Sequence, residues 1–194
     1  MFGLNIKWAR CALTGFGLLA VSGCANGFVG PTYISPSYFP SDLSYTAGIG
    51  PIYTNVVGNP FEASGSNVSG VITASLEDGR NYTPRLTFSA EKRSDDPSPY
   101  YVVFLFDPAQ NARPEKVCAE PEQPRSNPEP GIIRVLVAYC AVGKEINYTR
   151  GRLTDVSDPQ DERFKAFVRS ISAEIFPPRN PNLLGDESFR VSGL

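Results

Sequence analysis

Two stretches, Tyr100 to Phe106 (YYVVFLF) and Gly131 to Val142 (GIIRVLVAYCAV), are apolar at almost every position. Successive side chains on a strand point to opposite faces, so a half-buried strand alternates apolar and polar residues. These two do not alternate, and each reads as a central strand buried on both sides. A sheet built around them needs cover on both faces.

The remaining elements supply cover for one face. Pro51 to Gly58, with Ile52, Tyr53, Val56 and Val57, reads as a first strand stopped by Asn59-Pro60. In SNVSGVITASLEDG, Val68, Val71, Ile72, Ser75 and Leu76 fall at helical spacing, with Ser66 as N-cap and Gly79 as stop. Its Val, Ile, Thr and Gly content leaves a strand open as the alternative. Arg85 to Ala90 alternates as a strand, with Leu86 and Phe88 on one face. Gly143-Lys144 fits a two-residue hairpin that returns as a strand over Glu145 to Leu153. Asp158 as N-cap and Pro159 at the first helical position open a second helix. Its stripe is Phe164, Phe167, Val168, Ile171 and Ile175, and Pro177-Pro178 ends it.

The expected fold is therefore α+β: a mostly antiparallel sheet of about five strands with two helices on one face. The other face awaits cover from the aromatic N-terminal segment or from a partner. Residues 119–130 (AEPEQPRSNPEP) read as a surface loop. With 194 residues, 41% hydrophobic and 20% charged, the chain suits one core. That domain is placed at residues 51–178, followed by a tail over 179–194.

The front of the chain reads differently. Lys7 and Arg10 precede an apolar run from Cys11 to Val21, then Ser22, Gly23 and Cys24. A basic start, a short apolar run and small residues before a cut make an export signal. The run is well short of the roughly 20 residues a membrane-spanning helix needs. Leu19-Ala20-Val21-Ser22-Gly23-Cys24 resembles the lipobox of bacterial lipoproteins. The resemblance implies removal of residues 1–23 by cleavage between Gly23 and Cys24, and acylation of Cys24 on its sulfur and its new amine. It implies a periplasm-facing membrane anchor. Ala25, where an aspartate would retain such a protein at the inner membrane, favours the outer membrane.

On that reading the cysteines sort themselves. Cys11 leaves with the signal and Cys24 takes lipid, so Cys118 and Cys140 remain as a pair in an oxidising compartment. A disulfide is expected, with two buried free thiols as the alternative. Residues 24–50, broken by Pro31, Pro36 and Pro40, read as an extended tether. Tyr33, Tyr38, Phe39 and Tyr45 make it aromatic enough to be a contact strip for a partner or an envelope polymer. Two further places, Gly58-Asn59-Pro60-Phe61 and the hairpin followed by a helix ending Phe176-Pro177-Pro178, faintly resemble small uncharacterised envelope lipoproteins of Gram-negative bacteria. That resemblance implies location and fold style alone.

Chemistry is constrained mostly by omission. The chain has no histidine, so Ser-His-Asp, Cys-His and HExxH sites are excluded. It has no GxSxG, P-loop or GxGxxG pattern. A formal charge of −2 without a basic block gives no reason to expect nucleic acid. Asp155, Asp158, Asp161 and Glu162 are spaced like a calcium cluster but lack the glycine and alternation of an EF-hand, and helix capping accounts for them better. Asp95-Asp96 reads as a solvated turn. Arg150 and Arg152, alternating with Tyr148, either grip an anion or form the exposed face of an edge strand. Asn67, Asn81 and Asn147 head glycosylation sequons by pattern, without meaning in a bacterial lipoprotein. The expected function is that of a non-enzymatic, membrane-anchored envelope lipoprotein, binding an envelope protein or supporting an assembly. No cofactor and no metal is implied. Small-ligand or envelope-polymer binding is the alternative, and a hydrolase ranks third.

Overall fold

The computed structural model describes residues 27–61, 67–79, 84–94 and 97–183. Strands are β1 (Gly27–Val29), β2 (Tyr33–Ile34), β3 (Ile52–Val57), β4 (Phe88–Ser89), β5 (Tyr100–Phe106), β6 (Ile132–Ala141) and β7 (Lys144–Thr154). Helices are α1 (Pro40–Ile49), α2 (Val68–Asp78) and α3 (Glu162–Ile175). All seven strands join one sheet, in the order β1-β7-β6-β5-β3-β4, with β2 also on β7.

The fold is α+β, as expected, but the sheet is mixed rather than mostly antiparallel. β3 runs parallel to both β4 and β5, while β5, β6, β7 and the two N-terminal strands pair antiparallel. The cause is the helix between β3 and β5. A crossover helix returns the chain to the end where it started, which makes the flanking strands parallel. Residues 67–78 are thereby resolved as helix. Asn67, rather than Ser66, caps α2 by accepting from the Gly70 amide at 3.0 Å; Ser66 lies outside the described residues. The alternating stretch at 85–90 contributes only the two-residue β4, although Leu86 and Phe88 are buried as its alternation requires.

Residues 27–49 are not a tether. β1 and β2 extend the sheet beyond β7, so β7 is not an edge strand. Pro40 begins α1, a position where its missing amide costs nothing. α1 buries Leu43 and Thr46, and the Thr46 hydroxyl donates to the Asp42 carbonyl at 2.7 Å. The preceding turn is locked to the C-terminal segment. Tyr38 is 1% exposed and donates its hydroxyl to the Pro177 carbonyl at 2.7 Å. The Asn180 amide donates to the Ser35 and Tyr38 carbonyls.

One face of the sheet carries the larger core. Val102, Phe104, Phe106, Val135, Val137 and Tyr139 point into it, and α2 and α3 pack there through Ile72, Leu76, Phe164, Phe167 and Ile171. The whole stripe expected for the last helix is buried. Its start lies later than expected. Asp161, not Asp158, is the N-cap, accepting from the Arg163 amide at 2.9 Å. Asp158 instead accepts from the Gln160 amide, shaping the turn that leads in, so Pro159 precedes the helix. The β6–β7 hairpin also shifts by one residue. Ala141 pairs with Lys144, leaving Val142 and Gly143 as the loop, both at positive φ.

The second face is covered by the chain itself. Residues 107–131 cross it between β5 and β6 and lay Ala112, Val117 and Cys118 on Val57, Val103, Leu105, Leu136, Ala138 and Cys140. Cys118 is joined to Cys140 by a disulfide across 22 positions, with Cα atoms 5.7 Å apart. Neither the N-terminal segment nor a partner is required for the centre of this face.

Candidate functional site

The covering loop is held by a small set of polar contacts. Ala109 donates its amide to the Pro124 carbonyl and Ser126 to that of Asp107. The Arg125 guanidinium donates to the Phe106 carbonyl at 3.0 Å, the Tyr101 hydroxyl to the Cys118 carbonyl at 2.6 Å, and Arg150 to the Ala112 carbonyl at 2.9 Å. The loop spans the middle of the face and leaves an open cleft at each end.

The cleft at the hairpin end measures about 360 Å³ and is lined by Tyr53, Asn55, Lys92, Pro99, Tyr100 and Tyr101. Tyr53 and Tyr101 lie directly opposite each other on the parallel β3–β5 pair, so both rings project to this face. The Lys92 ammonium sits 6.0 Å from the Tyr53 ring centroid. Burial raises the Tyr100 phenol above its ordinary value, and the Asp42 charge on α1 and a hydrogen bond to it add to that. Burial likewise raises Tyr101. The Tyr101 hydroxyl donates to the Cys118 carbonyl, and the Tyr100 ring stacks on Tyr139 at 5.7 Å.

The cleft at the opposite end measures about 420 Å³, and Phe28, Pro31, Pro108, Arg134, Arg150 and Arg152 are on its walls. Register explains how they meet. Arg152 on β7 pairs with Phe28 on β1 and with Arg134 on β6, so the three side chains leave the same face side by side. Like charges directly opposite on a sheet oppose folding by up to roughly 1 kcal/mol. Glu129 offsets part of this through an ion pair with Arg134, which draws the Glu129 carboxyl below the usual range. Phe28 is left 65% exposed.

The residues singled out in the sequence fall in several places. Cys24 and Gly23 lie outside the described residues, as do Asp95, Asp96 and Asn81. Cys118 and Cys140 are bonded. Of the four aromatic contact candidates, Tyr38 is corrected: it belongs to the helix-side core, with its hydroxyl bonded to the Pro177 carbonyl. Tyr33 is 43% exposed and stacks on Tyr148 at 4.9 Å. Phe39, just before α1, and Tyr45, on it, are 48% and 61% exposed, and Tyr45 lies near Tyr100. Arg150 and Arg152 do lie beside a cleft, but with Arg134 and Phe28, which sequence reading missed. The cross-strand register that brings those two in has no local signature. The acids at 155–162 cap and brace α3, and no group of three metal-ligating side chains occurs among the described residues. Asn147 is fully buried and donates to the Ile175 carbonyl at 2.7 Å, so it is structural.

No family model and no curated protein matches the chain. Among solved structures it is similar to the PelC dodecamer from Paraburkholderia phytofirmans, at 13% identity and a TM-score of 0.40 over 78% of this chain and 96% of that one. A point variant of the same dodecamer gives 13% and 0.37 over 78% and 95%. Likeness at this level carries no argument about activity or assembly.

Proposed function

We propose that this chain is a lipid-anchored, non-enzymatic envelope lipoprotein of the outer membrane that acts by binding another envelope protein. The observation that carries the reading is the polarity of the molecule along its longest strand. β7 has 11 residues, about 33 Å at roughly 3.3 Å per residue. β1, which follows the lipobox Cys24, pairs at one end of it, opposite Gly151 to Leu153. The tyrosine cleft opens at the other end, where Tyr100 pairs with Ala141 and Ala141 with Lys144. A chain anchored at Cys24 presents that cleft, and with it the end of the sheet where Tyr45 of α1 lies near Tyr100, away from the membrane. Both clefts are open to solvent along one side, so a partner's surface can reach them.

Two measurements test this. Cells fed labelled palmitate should label the wild-type chain and not Cys24→Ala, which should also leave the membrane fraction; label on Cys24→Ala overturns the anchor. A photoreactive residue at position 45 should give a discrete protein adduct in cells, while one at position 166, exposed on α3, should not. Adducts to envelope polymer from position 45, or equal adducts from both positions, overturn the protein-partner reading. The first of these would favour polymer binding, to which the stacked Tyr53–Lys92 edge is suited.

A further inference from the structure

We infer that the Phe28 end of the sheet is a membrane-contact face, in which Phe28 enters the lipid interface and Arg134 and Arg152 engage anionic phospholipid headgroups. This rests on the lipid-anchor reading above. The first support is chain length. Cys24 precedes Gly27, the first residue of β1, by three positions, a span of at most about 11 Å at 3.6 Å per residue. An acylated Cys24 therefore leaves no room for a spacer. Whatever β1 carries on its exposed side is held close to the bilayer.

The second support is what β1 and its neighbours carry there. Phe28 is 65% exposed, the most exposed aromatic ring among the described residues. Aromatic side chains at a membrane interface bury an apolar ring at headgroup depth. Beside it, Arg152 and Arg134 form a direct like-charge pair with Glu129 as the acid bonded to one of them. The third guanidinium, Arg150, braces the Ala112 carbonyl and shapes the wall. A guanidinium pair of net positive charge matches phosphate oxygens, with which arginine forms paired hydrogen bonds. The cleft between them is lined by apolar atoms of Pro31 and Pro108 and is open to solvent. A soluble acidic polymer would use the arginines but leave Phe28 in water. A bilayer uses both, and the anchor supplies it at high local concentration.

The test attaches the mature chain, starting at Cys24, to vesicles through that residue. With Cys118 and Cys140 joined, Cys24 is its remaining thiol, and a maleimide-bearing lipid couples there without any processing enzyme. The mature chain lacks Trp8 and so has no tryptophan, which makes Phe28→Trp or Tyr45→Trp a sole reporter. On phosphatidylglycerol vesicles, the Phe28→Trp emission should shift to the blue and be quenched by brominated acyl chains. The Tyr45→Trp emission, from the far end, should do neither. Without coupling, the Cys24→Ser mature chain should bind these vesicles about fivefold more weakly for each of Arg134→Gln and Arg152→Gln. Thermal melts of these surface variants should show each still folded cooperatively under the binding conditions. Equal quenching of both reporters, an unshifted Phe28→Trp, or a shift produced by a soluble acidic polysaccharide and not by vesicles overturns the proposal. Failure of the lipid-anchor reading is read separately, as absent palmitate on Cys24 in cells, and leaves the coupled-vesicle result unchanged.

Discussion

The two faces of this sheet are covered by different means. On one, α2 and α3 bring whole apolar stripes, and each helix satisfies its own backbone hydrogen bonds before it packs. On the other, an irregular loop brings only Ala112, Val117 and Cys118 into the cluster beneath it. The loop pairs part of its backbone internally, as in Ala109 with Pro124 and Ser126 with Asp107, and is also held by side-chain bonds from Tyr101 and Arg150 and by a covalent staple. The lesson is that a doubly apolar strand specifies that both faces be covered, not what covers them. The helix-covered face contributes most of the stability, while the loop-covered face leaves its margins open for binding.

The largest expected effect lies on the helix face. Phe167 is 5% exposed, and removing a buried aromatic ring costs about 3–5 kcal/mol, with more for an unpaired buried charge. Phe167→Asp should therefore leave the domain unfolded in urea melts at conditions where the parent is folded. A melt within about 1 kcal/mol of the parent would place the main core elsewhere.

The staple comes next. Replacing Cys118 and Cys140 together by Ala should cost roughly 3 kcal/mol by loss of the loop constraint on the unfolded chain. The comparison sharpens by hydrogen exchange. Residues 107–126 should lose protection in the double variant while α3 stays protected, since its packing does not pass through the loop. Equal loss in α3 would mean that the two faces form one cooperative unit.

How much of this was readable beforehand follows from range. The central strands, the stripe of α3 and the Cys118–Cys140 pair are legible because each rests on local periodicity or on counting. The parallel β3–β5 pair is less so, because an alternating or apolar strand looks alike in either direction. β1 and β2 have three and two residues, too short for periodicity to register, and α1 buries so little that Pro36 and Pro40 dominate its reading. Phe28 joins the row only through register between strands more than a hundred residues apart in sequence, while Arg134 meets Arg152 through the register of the β6–β7 hairpin. Tyr38 was misread for the same reason: what buries it is the C-terminal segment around Pro177 and Asn180.

Gly151 of β7 lies beneath the Phe167 ring of α3. An added Cβ there would lie 2.5 Å from the Phe167 ring, and forced overpacking costs about 1–3 kcal/mol. Gly151→Ala should destabilise by that amount, and Phe167→Leu should recover part of it in a double-mutant cycle. Simple addition of the two costs would show that the ring does not press on β7. Smaller still, and opposite in sign, is the hairpin. Val142 is 81% exposed at φ 50, a conformation that a β-branched residue resists. Asn or Asp suits that turn position. Val142→Asn should raise stability by about 0.5–1 kcal/mol in chemical melts, and a loss would mean that Val142 serves a contact beyond the chain.

The smallest effect concerns the acid that starts the dominant helix. Asp161 accepts from the Arg163 amide and pairs with its guanidinium at 2.6 Å. These bonds favour the charged form and hold its carboxyl below the usual aspartate range. A group whose folded pKa is depressed contributes stability that is fully present above its unfolded pKa and lost as pH falls through the folded one. Thermal melts between neutrality and pH 2 should therefore show a slightly shallower acid decline in Asp161→Asn, which keeps a capping oxygen but cannot titrate. Because Asp161 and Arg163 are at the surface, salt should shrink the difference. If the decline is the same in the two proteins, the acid sensitivity of the fold lies with other carboxylates, and the helix face owes its stability to its apolar stripe rather than to the charge at its cap.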